Sequence, residues 1–176
     1  SFLGFQPEQS ASALTAKDMA RAAYRKAIFQ VEDDSPAVGL ACAATIATDR
    51  PKLGEHRAFV SAWDQNGNTL YSLNLHKGLR DRVGEEEVVS RLLVRALMLL
   101  SGLESDLELG LTPGDTFEIE QTDHLAPLTQ LLSGEANWVV VRGESMVVEG
   151  EAPGALLSGS FSPLHSGHRG LAQAAG

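Results

Sequence analysis

Cysteine, basic residues and long apolar runs are scarce in this chain of 176 residues, and each scarcity excludes a class of protein. The single cysteine, Cys42, cannot form a disulfide within the chain, which fits a reducing, cytoplasmic location. No apolar stretch is long enough to cross a bilayer. Lys and Arg number 14 against 23 Asp and Glu, and the resulting charge of −9 disfavours binding to nucleic acid or to an anionic membrane.

The apolar fraction of 43% is sufficient for a core, and its pattern predicts an α/β chain. Residues 15–18 resemble a capping box and predict a helix that continues to about Phe29. Residues 37–47 are small and apolar, as in a buried strand. Asn66-Gly67 predicts a hairpin between strands at 56–63 and 69–75. Residues 79–101 predict the longest helix, with one apolar stripe formed by Val88, Val89, Leu92, Leu93, Ala96, Leu97 and Leu100.

Shorter elements are predicted in the second half of the chain. Strands are expected at 116–121, 138–141 and 146–148, with a short helix at 125–132. Gly and Pro are frequent in 150–154, which indicates a domain boundary. Because helices and strands are interspersed and one strand pair is a hairpin, we expect a mixed sheet in the first part of the chain.

The ten residues from 159 to 168 read Gly-Ser-Phe-Ser-Pro-Leu-His-Ser-Gly-His. They follow a short apolar run and precede residues that favour a helix, so the order predicted is strand, glycine turn and helix start. Such a turn directs backbone N–H groups and the positive end of the helix dipole towards an anion. His165 and His168 are three residues apart and lie close together if the helix begins near Ser166.

This run resembles the first signature of the nucleotidyltransferase superfamily, G-[ST]-F-[DNS]-P-x-H-x-G-H. The resemblance implies a Rossmann-like domain that transfers a nucleotidyl group from a nucleoside triphosphate to a small-molecule acceptor. It implies that His165 and His168 are catalytic and grip the phosphates. Gly159, Ser160, Phe161 and Gly167 would bind the nucleotide, and Gly167 would allow close approach of the backbone. Mg²⁺ would be held mainly by the phosphates, with no metal site made of protein ligands.

Two other interpretations of the histidine pair remain open. His165 and His168 could be surface residues at a helix start, or two of the ligands of a metal ion. No acidic or thiol residue near them in sequence supplies a third ligand, which weakens the metal interpretation.

Residues 1–103 resemble the CinA-type domain of the competence/damage-inducible family, which is related to nicotinamide-nucleotide amidases. The resemblance lies in Phe2-Leu3-Gly4-Phe5, in Val38-Gly39-Leu40-Ala41 and in the loop at 48–54, followed by a hairpin and a long helix. It implies a CinA-like domain with a mixed sheet at 1–103, a connecting segment at 104–151, and the first strand, turn and helix of a nucleotidyltransferase domain at 152–176. The chain is expected to be a fragment, cut at both ends.

The departures from the CinA pattern leave the first part of the chain without an assigned activity. The family's nucleophilic serine and its partners would precede Ser1, and residues 41–47 replace its Gly-rich loop. The alternatives to a nucleotidyltransferase are therefore a non-catalytic binding or dimerisation module, and an amidase whose catalytic residues lie outside this chain. Homo-oligomers would form through the CinA-like part. Four groups of residues have structural interpretations. Cys42 is interpreted as a core residue, and Arg50 and Lys52 as part of a solvated loop. The histidines His56, His76 and His124 are interpreted as surface or hairpin residues, and the glutamates Glu85, Glu86 and Glu87 as charges at a helix N-terminus.

Overall fold

Three complete helices and six strands lie within the residues that the computed structural model describes, which are 9–30, 35–48, 53–142, 145–151, 166–167 and 169–170. The chain divides into two compact units, Ser1–Leu125 and Ala126–Gly176. In chain order the first unit contains α1 (Ala13–Gln30), β1 (Gly39–Thr45), β2 (His56–Trp63), β3 (Gly67–Leu75), α2 (Arg82–Leu100) and β4 (Thr116–Asp123). The second contains α3 (Ala126–Ser133), β5 (Val139–Arg142) and β6 (Ser145–Val148).

The sheet of the first unit has the strand order β1-β2-β3-β4. Each of its strand pairs is antiparallel, so the expectation of a mixed sheet is wrong for the described strands. The prediction of a strand at 116–121 is confirmed, but this strand, β4, pairs with β3. The first unit therefore includes part of the segment that was expected to connect two domains.

The predicted hairpin joins β2 to β3 at Asn66-Gly67. Asp64 closes the turn, because its carboxylate accepts the N–H groups of Asn66 at 2.7 Å and Gly67 at 2.9 Å. Glycine is required at position 67 because the neighbouring strand passes against it. A Cβ there would lie 1.9 Å from the carbonyl oxygen of Thr122.

The two long helices begin at different kinds of cap. Ser12 caps α1, since its Oγ accepts the N–H of Thr15 at 3.1 Å, and the expected cap at Thr15 is one turn too late. Asp81 caps α2, since its carboxylate accepts the N–H of Gly84 at 2.8 Å. Gly84 thus lies in the first turn of α2.

The two helices cover opposite faces of the sheet. On β2, Ala58, Val60 and Ala62 belong to the larger core, to which α2 contributes Val88, Val89, Leu92 and Ala96. Phe59, which alternates with them, contacts the smaller cluster around Ala16 of α1. The apolar stripe predicted for α2 is confirmed in its centre, while Leu97 at its margin is 47% exposed. Among the described residues, no helix is long and apolar enough to span a bilayer.

The second unit contains the predicted short helix and strand pair. β5 and β6 form an antiparallel hairpin of four residues each, and α3 carries no fully buried side chain. After the hairpin, Glu149 has a φ of 47°, in the left-handed region. Hydrogen bonds from the backbone and side chain of Asn137 lower the pKa of Glu149 and fix this turn.

Candidate functional site

The predicted phosphate-binding run lies mostly outside the described residues. His165, His168, Gly159, Ser160 and Phe161 fall there, as do Arg50 and Lys52. Gly167 lies within the described residues. The backbone is helical at Ser166 and Gly167, and again at Arg169 and Gly170. All four residues are exposed.

The described residues of the first unit form a cleft where β2 begins and β3 ends. The two strand ends are neighbours, since His56 pairs with Leu75 in the sheet. The cleft has a volume of about 490 Å³, which is within the range of small-molecule sites. We call it the His56 cleft; it is lined by Glu55, His56, Asn74, Leu75, His76, Lys77 and Gly114.

The histidine that gives the cleft its name is held by a buried carboxylate. Nδ1 of His56 lies 2.7 Å from Oε1 of Glu85, and the two side chains are 11% and 0% exposed. The second oxygen of Glu85 accepts the N–H of Ala47 at 2.7 Å. Both carboxylate oxygens therefore have a donor, and the orientation of the His56 ring is fixed.

This contact also decides which ring nitrogen can act on a ligand. A carboxylate only accepts hydrogen bonds, so Nδ1 carries the proton of the neutral ring and Nε2 carries the lone pair. A histidine oriented by a carboxylate in this way can accept a proton from water or a hydroxyl group and return it to a leaving group. No three His, Cys, Asp or Glu side chains in the described part of the chain are grouped so that they could hold a metal ion.

A second buried carboxylate, Asp115, fixes the wall of the cleft. Its oxygens accept the N–H of His76 at 2.8 Å, the Nη2 of Arg80 at 2.8 Å and the N–H of Thr112 at 2.7 Å. Burial alone would raise the pKa of Asp115, but the hydrogen bonds from Arg80, Thr112 and His76 outweigh it and hold that pKa well below its ordinary value. The end of β3, the start of α2 and the loop before β4 are thereby joined beside the cleft.

Cys42, His124 and Trp138 make packing or hydrogen-bond contacts that account for their positions. Cys42 packs at the edge of the larger core, and burial raises the pKa of its thiol, which disfavours a nucleophilic thiolate. His124 packs edge-on against Trp63, with 4.7 Å between ring centroids. Trp138 in the second unit is 46% exposed, and its ring N–H donates to the Gly150 carbonyl at 3.3 Å.

His56 lies on the predicted hairpin, but its side chain is only 11% exposed. Glu85 lies in the first turn of α2 as predicted, and its carboxylate also contacts His56. Their contact spans 29 positions of sequence. Three consecutive glutamates in a first helical turn have a local explanation, since acidic residues there interact favourably with the helix dipole. The sequence contains one signal that sets Glu85 apart from Glu86 and Glu87. Of the three, only Glu85 is four positions before Val89 and seven before Leu92, which places it on the apolar stripe of the helix.

Comparison with known proteins gives no match: no family model, curated protein or solved structure is similar to this chain. A functional conclusion therefore depends on the residues and contacts of the chain itself.

Proposed function

We propose that residues 159–168 form the phosphate-binding turn of a nucleotidyltransferase, joined to a CinA-like first unit. The observation that carries this proposal is the order of residue types in the run, in which glycine, serine, phenylalanine, proline and both histidines occupy the signature positions. The helical backbone at Ser166 and Gly167 supports it, because the signature requires a helix to start beside the turn.

The proposed chemistry is the positioning and stabilisation of phosphate charge. His165 and His168 would donate to the phosphates as negative charge shifts from the attacked phosphorus to the departing pyrophosphate. The hydroxyl of Ser160 and the backbone of Phe161 would orient the acceptor or the α-phosphate, and Gly167 would leave room for the backbone to approach it. Mg²⁺ would enter with the nucleotide, bound mainly to phosphate oxygens, and would offset their charge.

For the first unit we propose a CinA-like fold without amidase chemistry. The order α1, β1, hairpin, α2 is the order that the resemblance implies, and the packing of both helices on the sheet agrees with a layered domain. The His56 cleft favours a small-molecule role for this unit over a purely scaffolding role, because buried polar groups converge beside an open cavity.

The transferase proposal is tested on the complete product of the open reading frame that encodes this chain. Pyrophosphate release is measured with each of the four common nucleoside triphosphates and a panel of phosphorylated and alcohol acceptors. We expect His168→Ala to lower kcat by about 10²–10³-fold with a smaller change in KM, as for the loss of one pre-organised donor.

The matched control is Ser166→Ala, two positions earlier, because position 166 is variable in the signature and its side chain is exposed. This control should keep the wild-type rate. Wild-type kcat/KM in His168→Ala, for the best triphosphate, would refute the role of the run in phosphate binding.

A further inference from the structure

The fold does not require a buried histidine in addition to the buried carboxylate of Glu85. A tether between the end of β1 and the start of α2 needs only the Glu85 carboxylate and the N–H of Ala47, which are 2.7 Å apart. Burying a carboxylate beside a histidine is a costly way to join two elements, and apolar side chains of similar volume often serve as well or better. The histidine is also the only member of the pair that lines the cleft.

The remaining cleft residues restrict the chemistry that this pair could serve. The lining has no hydroxyl or thiol side chain among the described residues, so a covalent intermediate on Ser, Thr or Cys is not indicated there. Glu55 is the only carboxylate in the lining, and it has no second carboxylate with which to form a glycosidase-type pair. His76 and Lys77 follow the end of β3, at the same end of the strand pair as His56, and add an imidazole and a positive charge to the lining.

We propose that the His56 cleft is a hydrolytic site for small acyl esters, with His56 as general base and Glu85 as its positioning residue. This proposal uses none of the residues 159–168 and does not depend on the transferase proposal. A cleft of about 490 Å³ admits a substrate of a few carbon atoms together with one attacking water.

The step balances with water as the only co-reactant. Nε2 of His56 takes a proton from water as the water oxygen bonds to the carbonyl carbon and the carbonyl electron pair moves to its oxygen. Lys77, whose Nζ donates to the Leu53 carbonyl at 3.1 Å, would supply a positive charge in the lining to stabilise that oxyanion. When the intermediate collapses, the bond from carbon to the alkoxy oxygen breaks and the proton on Nε2 passes to the leaving alkoxide. The products are one carboxylic acid and one alcohol, and Glu85 holds Nδ1–H throughout.

The experiment uses the whole chain and 4-nitrophenyl acetate, with release of nitrophenol followed by absorbance. We expect His56→Gln to lower kcat/KM by about 10²-fold or more, within the range for loss of a general base. His124→Gln is the matched control, since it removes one histidine outside the cleft, and it should stay within about twofold of wild type. Equal rates for His56→Gln and wild type, or a wild-type rate no higher than that of the urea-unfolded chain, would overturn the proposal.

The role of Glu85 is tested by separating kcat from KM. Glu85 does not line the cleft and contacts the reaction only through the His56 ring. Glu85→Gln should therefore lower kcat with little change in KM. An unchanged kcat would show that Glu85 is only a tether and would overturn its assignment.

Two further measurements keep the test decisive. If His56→Gln does not fold, the double variant His56→Gln/Glu85→Gln replaces it, because two amides can keep a hydrogen bond at the same place. A rapid burst of one equivalent of nitrophenol would show attack by the ring itself, and would overturn the assignment of His56 as a general base. Linear release that is slower in D₂O would support it.

Discussion

Glu85 and Asp115 are both carboxylates with fully buried side chains near the His56 cleft, but their partners differ in kind. Asp115 is bound to a guanidinium, two backbone N–H groups and a hydroxyl, and Arg80 also donates to the Gly110 carbonyl at 2.9 Å. Glu85 has one backbone N–H and one imidazole nitrogen. Asp115 accepts hydrogen bonds only from groups that hold the fold together. Glu85 accepts one hydrogen bond from a histidine ring that also lines the open cleft.

This difference separates two roles of a buried carboxylate, one in stability and one in chemistry. The donors around Asp115 come from the end of β3, the start of α2 and the loop before β4, so the residue fixes three segments at once. The ring beside Glu85 lines the cleft, so that carboxylate orients a side chain that borders open space. We therefore expect the loss of Asp115 to affect mainly stability, and the loss of the His56–Glu85 pair to affect mainly chemistry.

The largest expected effect on stability follows from removing the carboxylate of Asp115. Asp115→Ala leaves the Arg80 guanidinium, 11% exposed, without its carboxylate partner, and should lower the free energy of unfolding by about 3–5 kcal/mol. Chemical denaturation of the purified chain measures it. The control is Glu120→Ala, which removes an exposed ion pair with Lys17 and should cost about 1 kcal/mol or less. Equal losses in the two variants would contradict the structural role of Asp115.

The second prediction concerns the larger apolar core between α2 and the sheet. Leu92 is fully buried between α2 and the sheet, and Leu92→Ala should lower the free energy of unfolding by about 2–5 kcal/mol. Leu97, five residues later on the same helix and 47% exposed, provides the comparison. Leu97→Ala should cost clearly less in the same denaturation experiment. If Leu97→Ala were the more damaging variant, α2 would face the sheet with another side.

The smallest predicted effect is the contribution of Asp115 to the pH dependence of stability. Its pKa in the folded chain lies below the ordinary value of 3.8, so its stabilisation is fully present above that value and is lost as pH falls towards the lower, folded pKa. The free energy of unfolding of wild type should therefore decrease more steeply below about pH 5 than that of Asp115→Asn. Parallel curves for the two proteins between pH 5 and pH 3 would show that Asp115 makes no such contribution.

Elements with a local cause were predictable from the sequence. Asn66-Gly67 determines its hairpin through backbone conformations that few other residue pairs accept. The centre of α2 follows from apolar residues at helical spacing. The start of α1 was misplaced because Thr15 and Ser12 are both capping residues three positions apart, and local preference does not choose between them. Strand direction beyond a hairpin has no local signal, which is why a mixed sheet was expected in place of an antiparallel one.

The cleft could not be predicted for the same reason. His56 and Glu85 meet only because β2 and α2 pack together, and Arg80 and Asp115 are 35 positions apart. By contrast, the run at 159–168 is a local pattern and can be identified from ten consecutive residues. A short motif is therefore visible in the sequence, whereas a long-range pair such as His56 and Glu85 becomes apparent only in the fold.

The last strand of the first sheet has a consequence for encounters between molecules. Among the described strands β4 pairs only with β3, and most of its side chains are exposed, among them Glu118, Asp123 and Glu120, which is paired with Lys17. A second chain that added to this strand would bring the carboxylates of Glu118 and Asp123 close to their counterparts, and their repulsion would oppose the contact. The acidity of β4 thus disfavours sheet-to-sheet pairing at this strand, and the effect weakens when acid neutralises the carboxylates or when salt screens them.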